Sequence, residues 1–276
     1  MRHVGLKARM VVTGSILFAL YAVAAVVVMG VFGWPLWLVL VGSIGFVGVQ
    51  YKIGKWMALR SVGAEDLPED RFPGIHRRVE SLSDAMGVEK PRLMIASMGV
   101  PNAFAVGRKG AATVVVSEEL LRALDDDEVE GVLAHELAHV RNRDVVMMVL
   151  GQGVASIVAI VAQWAVLLTG DNDIADFFLA IVVGQITQLL VMAFVFAISR
   201  YREYVADSDA AEEIGGGEPL ARALEKISRR SERARNADSE VDAQVSALCI
   251  FGDGSGLARL FASHPPVERR IERLRD

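Results

Sequence analysis

His135-Glu136-Leu137-Ala138-His139 decides how the rest of this chain is read. The stretch has the pattern H-E-x-x-H. Successive residues of a helix are about 100° apart, so His135 and His139 lie about 40° apart, one turn from each other on one face. Glu136 falls within about 100° of His135, toward the same side. Two imidazoles at that spacing can aim a nitrogen at one Zn²⁺, and the neighbouring carboxylate can take a proton from a water at the metal. A chance match on a helix is the alternative that the rest of the chain must decide against.

The flanking residues mark the helix. Asp125 suits the N-cap, and Glu128 three residues on completes an acidic form of the capping box. Asp126 and Asp127 put negative charge in the first turn, where the helix dipole favours it. Val129, Leu133, Leu137 and Val140 recur at helical spacing as an apolar stripe for packing. The two histidines lie off that stripe, whereas a core histidine would more often lie within it.

Composition narrows the class. Of 276 residues 53% are hydrophobic, and the mean hydropathy is +0.37, too apolar for an ordinary soluble protein. The net charge of −5 makes nucleic acid an unsuitable partner. Cys249 is the single cysteine, so neither an intrachain disulfide framework nor a cysteine-rich zinc site is possible. A metal must be held by histidine and carboxylate, and two of the five histidines are in the motif.

Residues 10–51 contain no Asp, Glu, Lys or Arg. A spanning helix needs about 20 apolar residues, so this run is long enough for two. Gly33-Trp34-Pro35 divides it into spans at 10–32 and 36–51. The first is too long for a signal peptide and no A-x-A-like site ends it, so it reads as an uncleaved anchor. Residues 145–170 and 177–199 are likewise free of charge and give a third and a fourth span, joined by a short acidic loop. Buried core helices are the other reading of such runs, and four of them in one chain argue against it. Lys and Arg flank the outer ends of both pairs (Arg2, Lys7 and Arg9, Lys52, Lys55 and Arg60, Arg141 and Arg143, Arg200 and Arg202), while the two opposite loops have none. That bias predicts that both termini and both polar segments face the cytoplasm.

The expected organisation is a transmembrane hairpin at 1–60, a first catalytic segment at 61–144, a second hairpin at 145–199 and a second catalytic segment at 200–276. Within the first polar segment, residues 75–86 have helical spacing with Gly87 as C-cap. Residues 92–97, 102–106 and 113–116 read as short strands, with turn chemistry at 107–110 between the last two. Ser117 can cap a helix over 118–124. In the second segment, Gly215-Gly216-Gly217 ends the helix that follows the fourth span, and Pro219 suits the first turn of another. Residues 229–242 are densely charged and read as a mobile surface segment. Residues 247–251 read as a strand, 252–256 as a loop, and the tail as a short basic helix through Arg275.

A catalytic zinc site commonly has three protein ligands and an open position. Glu203 and Asp207 are four apart and share a helical face. One could bind metal while the other fixes the tautomer of a ligand histidine. Spacing alone equally allows both to pair with nearby arginines at a membrane edge.

Four stretches in this order are similar to the HtpX-type membrane zinc proteases, relatives of the CAAX prenyl protease in the gluzincin group. They are Pro101-Asn102-Ala103-Phe104-Ala105, the H-E-x-x-H stretch, Ser199-Arg200-Tyr201-Arg202-Glu203-Tyr204-Val205-Ala206-Asp207, and Ser263-His264-Pro265. The likeness covers nearly the whole chain. It implies a mainly α fold with a small β-sheet, an α+β zincin-like catalytic domain on four transmembrane helices. It implies one Zn²⁺ held by His135, His139 and Glu203, with Glu136 as general base. Asp207 would be the partner of a ligand histidine, and His264 would lie near the site, toward the oxyanion. Residues Asn102, Ala103, Phe104 and Ala105 would form the edge strand along which substrate lies extended.

The resulting expectation is a multi-pass membrane zinc endopeptidase. Its site faces the cytoplasm, its partners are the lipid bilayer and protein or peptide substrates, and its role is quality control of misfolded or damaged membrane proteins. A processing protease for prenylated C-termini and a non-hydrolytic zinc scaffold are the alternatives. A scaffold would be expected to lose Glu136, which is present. A transporter should carry charge within its spans, and these carry none. An intramembrane protease would hold its motif inside an apolar span, whereas this motif lies between Glu130 and Arg141.

Overall fold

The computed structural model describes residues 4–171, 173–237 and 264–276. The chain divides into two compact units. One comprises Met1–Ile53 and Met147–Ile198, the other Gly54–Val146 and Ser199–Asp276.

The first unit is built from α1 (Val4–Phe32), the larger part of α2 (Leu36–Ser61), α6 (Asp144–Thr169) and the first part of α7 (Ile174–Glu213). All four helices are long and apolar enough to cross a membrane. Their outward faces carry large apolar side chains, with Phe18 72% and Ile44 73% exposed, a surface that lipid rather than water suits. Small and polar residues join the helices to each other. Tyr21 Oη donates to Ser43 Oγ at 3.1 Å between α1 and α2, and Gln50 Nε2 donates to Ser156 Oγ at 3.2 Å between α2 and α6. Gly153 lets α6 approach α2, because a Cβ there would come within 2.6 Å of Val47 Cγ2.

The second unit is α+β. Its strands are β1 (Glu65–Asp66), β2 (Arg92–Ala96), β3 (Ala103–Val106) and β4 (Thr113–Ser117), in the order β1-β2-β4-β3. β4 pairs parallel with β2 and antiparallel with β3, with Ala103 opposite Val116 and Val106 opposite Thr113. All five residues of β4 are buried, as a strand covered on both faces requires. Val114 and Val116 face one cluster with Val79, Leu120, Leu133 and Leu137, while Val115 faces another with Met94, Met98 and Phe104. β3 pairs with β4 alone among the described strands, so it forms one edge of the sheet.

The helices of this unit are α3 (Pro73–Met86), α4 (Glu118–Ala123), α5 (Asp126–Arg141), the later part of α7, α8 (Glu218–Ala237) and α9 (Val267–Arg275). Sequence signals placed most of these ends. Gly87 sits at φ 65° as the C-cap of α3, Ser117 Oγ accepts from the backbone N–H of Leu120, and Asp125 with Glu128 forms the capping box of α5. α5 lies at the centre of the core, with Val129, Val132, Leu133, Leu137 and Val140 buried. Gly131 lets α8 press onto it, since a Cβ there would meet the Leu220 backbone nitrogen at 3.0 Å.

The fold class is as the sequence predicts, mainly helical with a small sheet and four membrane-capable helices. One segment carries structure that the sequence reading did not assign: α8 stays helical through Ala237. Leu220, Leu224 and Ile227 bury one stripe of α8 against the core, and Arg229, Arg230, Glu232 and Arg233 are exposed, as expected of a surface segment. Residues 238–242, the strand at 247–251 and the loop at 252–256 lie outside the described residues. β1 is too short and too polar to carry a strand signal.

Candidate metal centre and active site

The capping box fixes where α5 starts, and ten residues later the helix delivers His135, Glu136 and His139 to one place. All three are on its buried or half-buried sides. The Nε2 atoms of His135 and His139 lie 3.1 Å apart. Glu203, from α7, brings Oε1 to 3.3 Å from His139 Nε2 and Oε2 to 3.6 Å from His135 Nε2. One donor atom from each of the three side chains lies within 4.8 Å of the others.

The outer nitrogens face carboxylates. His139 Nδ1 lies 2.6 Å from Asp144 Oδ2, and His135 Nδ1 lies 3.0 Å from Asp207 Oδ1. An ionised carboxylate can only accept, so a proton on Nδ1 is favoured in each ring and leaves the Nε2 lone pair inward; the contact is a hydrogen bond at His139 and a close approach without hydrogen-bond alignment at His135. Two imidazole lone pairs and a carboxylate therefore converge. Glu203 Oε2 is fully buried without a well-aligned hydrogen bond, although His264 Nδ1 (3.0 Å) and Arg270 Nη1 (3.1 Å) are close. Converging acceptors and an unsatisfied carboxylate oxygen are what a bound dication requires, and His₂Glu is a zinc donor set. Charge agrees. Glu136, Asp144, Glu203 and Asp207 carry four negative charges, Arg202 and Arg270 two positive, which leaves −2.

Arg270, from α9, is only 1% exposed and binds Asp207 through two parallel contacts, Nε to Oδ2 at 2.9 Å and Nη2 to Oδ1 at 2.7 Å. Its Nη2 also comes within 3.3 Å of His135 Nε2. Arg202 is buried as well. Burial pushes its pKa down to about 10, which still leaves it charged at neutral pH. It pairs with Asp144 Oδ1.

Burial opposes the charge on every group here, and the neighbours decide the outcome. Burial pushes the Glu136 carboxyl above its usual range, and the facing histidines only partly offset it. Burial works the same way on Glu203, but the charges of His264, Arg270 and His139 outweigh it and hold this carboxyl well below the ordinary range. Asp207 is lowered against its burial by Arg270 and His135. His135 and His139 are raised despite burial, by Asp207 and Glu203 in one case and by Glu203 in the other.

Asn102, Ala103, Phe104 and Ala105 lie at the start and along β3, the edge strand packed beside α5. Ser117 holds the start of that strand. Its Oγ accepts from Asn102 N at 2.9 Å, and its own N–H donates to Asn102 O at 2.8 Å. Glu119 holds the preceding loop, accepting from Ser97 Oγ, Met98 N and Gly99 N at 3.1–3.2 Å.

All the expected site residues on α5, α7 and the tail thus meet: His135, Glu136, His139, Glu203, Asp207 and His264. Asp207 touches His135 and an arginine at once, but that arginine is the buried Arg270, 63 residues away, and not a neighbour at a membrane edge. Sequence reasoning missed Asp144, Arg202 and Arg270. In the sequence Asp144 is only the end of the first polar segment, and Arg202 only a flank of the fourth span within the stretch that carries the likeness. Arg270 had a signal: Val267, Arg270, Ile271 and Leu274 share helical core spacing, so a charge lay on the buried stripe of α9.

Residues 69–276 match Peptidase family M48. The chain is similar to a protein described as Protease HtpX homolog from Halobacterium salinarum, at 60% identity over 96% of this chain and 100% of that one. A Protease HtpX homolog of Methanopyrus kandleri is 38% identical over 75% of this chain and 67% of its own. Among solved structures, the fold is similar to S. mikatae Ste24p, with a TM-score of 0.58 at 19% identity, over 98% of this chain and 66% of that one.

Proposed function

The chain belongs to peptidase family M48, and we propose that it acts there as a zinc endopeptidase with its metal held by His135, His139 and Glu203. It is a multi-pass membrane metalloprotease of the HtpX type, and its substrates are proteins or peptides. The observation that carries the zinc reading is the convergence of two Nε2 lone pairs and the Glu203 carboxylate, each imidazole backed by a carboxylate at Nδ1.

When bound, zinc supplies a Lewis acid that polarises a carbonyl and brings the pKa of a water toward about 7. Glu136 takes the proton of the attacking water and later delivers it to the leaving amine. Asp207 keeps His135 in the tautomer that presents Nε2. His264, whose Nδ1 lies 3.0 Å from Glu203 Oε2, is placed beside the ligand set, where its ring can donate toward the oxyanion. The open edge of β3 receives the substrate backbone as an added strand, through main-chain hydrogen bonds at Ala103 and Ala105, while Asn102 and Phe104 turn theirs toward β4 and fix the strand.

The Lys/Arg bias supports a plasma-membrane protein with termini and active site on the cytoplasmic side. The likeness to HtpX-type proteases supports a role in removing misfolded or damaged membrane proteins. Metal analysis of the purified chain, with casein cleavage measured with and without a chelator, tests the reading. We expect about one zinc per chain and cleavage that the chelator abolishes. Cleavage of a prenylated C-terminal peptide but not of casein would favour the processing role instead.

A further inference from the structure

We propose that Asp144 and Arg202 form a clamp that positions His139: Asp144 holds the ring so that Nε2 faces the metal, and Arg202 holds Asp144. This rests on the reading of His139 as a ligand.

Asp144 lies five residues beyond His139. On an unbroken helix that separation turns about 500°, which puts the later residue about 140° away, on the far side from the histidine. Asp144 nevertheless reaches His139 Nδ1 at 2.6 Å, because the helix breaks between them. The break is Arg143, at φ 58°, the one non-glycine among the described residues in the left-handed region. That conformation is strained for an L-residue, and such strain persists only where surrounding contacts hold it.

Arg202 supplies those contacts. It is 4% exposed and Asp144 is 7% exposed. Its Nη1 donates to the carbonyl of Asp144 at 3.2 Å and its Nη2 to the carbonyl of Asn142 at 3.2 Å, one on each side of Arg143. Nη2 also pairs with Asp144 Oδ1, leaving Oδ2 for the histidine. One guanidinium therefore holds the strained turn and the carboxylate together. Arg202 directly precedes Glu203 on α7, so a single turn of that helix sets both the third ligand and the clamp on the second. Asp209, further along α7, ties the same turn through Asn142 Nδ2 at 2.9 Å, but does not touch His139.

If Asp144 served only as an acidic residue in the first turn of α6, its loss would lower stability and leave metal affinity alone. The test uses the full chain in detergent, with zinc affinity measured by chelator competition on the folded, size-selected fraction. The Co²⁺ absorption spectrum reads the ligand geometry. His139→Ala should lose most of the zinc. Asp144→Asn should weaken zinc about 10- to 100-fold and shift the Co²⁺ spectrum, and Arg202→Gln should act in the same direction. The double variant should be no worse than Asp144→Asn by more than about threefold, because both act through one carboxylate. Asp209→Asn should keep the affinity. If His139→Ala loses zinc while Asp144→Asn keeps it within about threefold, the clamp is overturned and the ligand reading stands. If His139→Ala keeps zinc, the ligand reading falls first. Should Asp144→Asn not fold, Asp144→Glu decides on the same two readouts, with unchanged affinity and spectrum overturning the proposal.

Discussion

Arg270 and Asp207 meet through two parallel N–H to oxygen contacts, 2.9 and 2.7 Å, inside the core of the catalytic unit. The same guanidinium lies 3.1 Å from Glu203 Oε2. Its pKa is raised despite burial because both carboxylates face it. Removing the arginine leaves two buried carboxylates without their cation, a change worth about 3–5 kcal/mol. Arg270→Met should therefore lower the melting temperature sharply. Arg270→Lys should recover only part of the loss, since an ammonium cannot make both parallel contacts. Equal melting temperatures for Lys and Met would show that the paired geometry does not matter.

Glu136 carries a signed pH prediction. Burial raises its pKa in the fold, so the folded state binds this proton more tightly than the unfolded state. Its charge therefore destabilises the fold above the folded pKa, and that penalty disappears below the unfolded value of about 4.3. With the metal removed from both, Glu136→Gln should melt higher than the parent at neutral pH, with the difference vanishing below about pH 4. Glu136→Gln should retain zinc and lose cleavage. Retained cleavage in Glu136→Gln, or loss of its zinc, would contradict Glu136 as the general base.

The loop before the edge strand depends on one carboxylate. Burial opposes the Glu119 charge, but the hydrogen bonds from its own helix start and from Met98, Ser97 and Gly99 outweigh it and hold its pKa low. Its stability contribution is thus present above the unfolded pKa and is lost as pH falls through the depressed folded pKa. Glu119→Gln replaces an acceptor with a donor that faces backbone N–H groups. It should cost about 1 kcal/mol, at the low end because the group is partly solvated. KM for casein should rise more than kcat falls, since the loop carries β3 and not the reacting groups. A kcat effect alone would detach this loop from substrate binding.

How much of this was legible in sequence follows from the reach of each signal. The ends of α3, α4 and α5 were readable because Gly87, Ser117 and Asp125 act on backbone groups within four residues. The four apolar helices were readable because the bilayer sets their length. Glu203 and Asp207 were readable as a pair on one helical face, but spacing could not say which faced the metal. Arg270 joins Asp207 across 63 residues, and no local pattern encodes such a pairing. Asp144 was invisible for a different reason. Helical extrapolation puts it on the wrong side of His139, and only the left-handed Arg143 brings it back. The charge density of 229–237 concealed the buried stripe of Leu224 and Ile227 just before it.

Orientation can be checked without activity. Asp173 lies exposed in the acidic loop between α6 and α7, and Lys109 lies exposed at the turn between β3 and β4. In a background with Cys249→Ser, Asp173→Cys should react with an impermeant thiol reagent added outside intact cells. Lys109→Cys should react only after the membrane is opened. The reverse labelling pattern would place the active site outside and overturn the charge-bias argument.

The last prediction separates Glu203, Asp207 and His264, which gather at one site and differ in assigned role: Glu203 and Asp207 share Arg270, and His264 lies 3.0 Å from Glu203. Glu203 is proposed as a ligand, so Glu203→Ala should leave two protein ligands and strip most of the zinc. Asp207 backs His135, so Asp207→Asn should weaken zinc about 10- to 100-fold and not abolish binding. His264 touches Glu203 but is not among the three converging donors, so His264→Ala should hold zinc near parent levels. Its kcat should fall about 10²- to 10³-fold, the range for losing one oxyanion donor. A purely structural account forecasts otherwise. If Glu203 and Asp207 serve only to pair with Arg270, both substitutions should lower the melting temperature alike and leave zinc content in the folded fraction unchanged. If His264 merely packs over Glu203, its loss should move the melting temperature more than turnover. Zinc content, melting temperature and kcat measured on the same folded fractions of the three variants therefore distinguish a ligand, a positioning group and a transition-state donor by three different patterns.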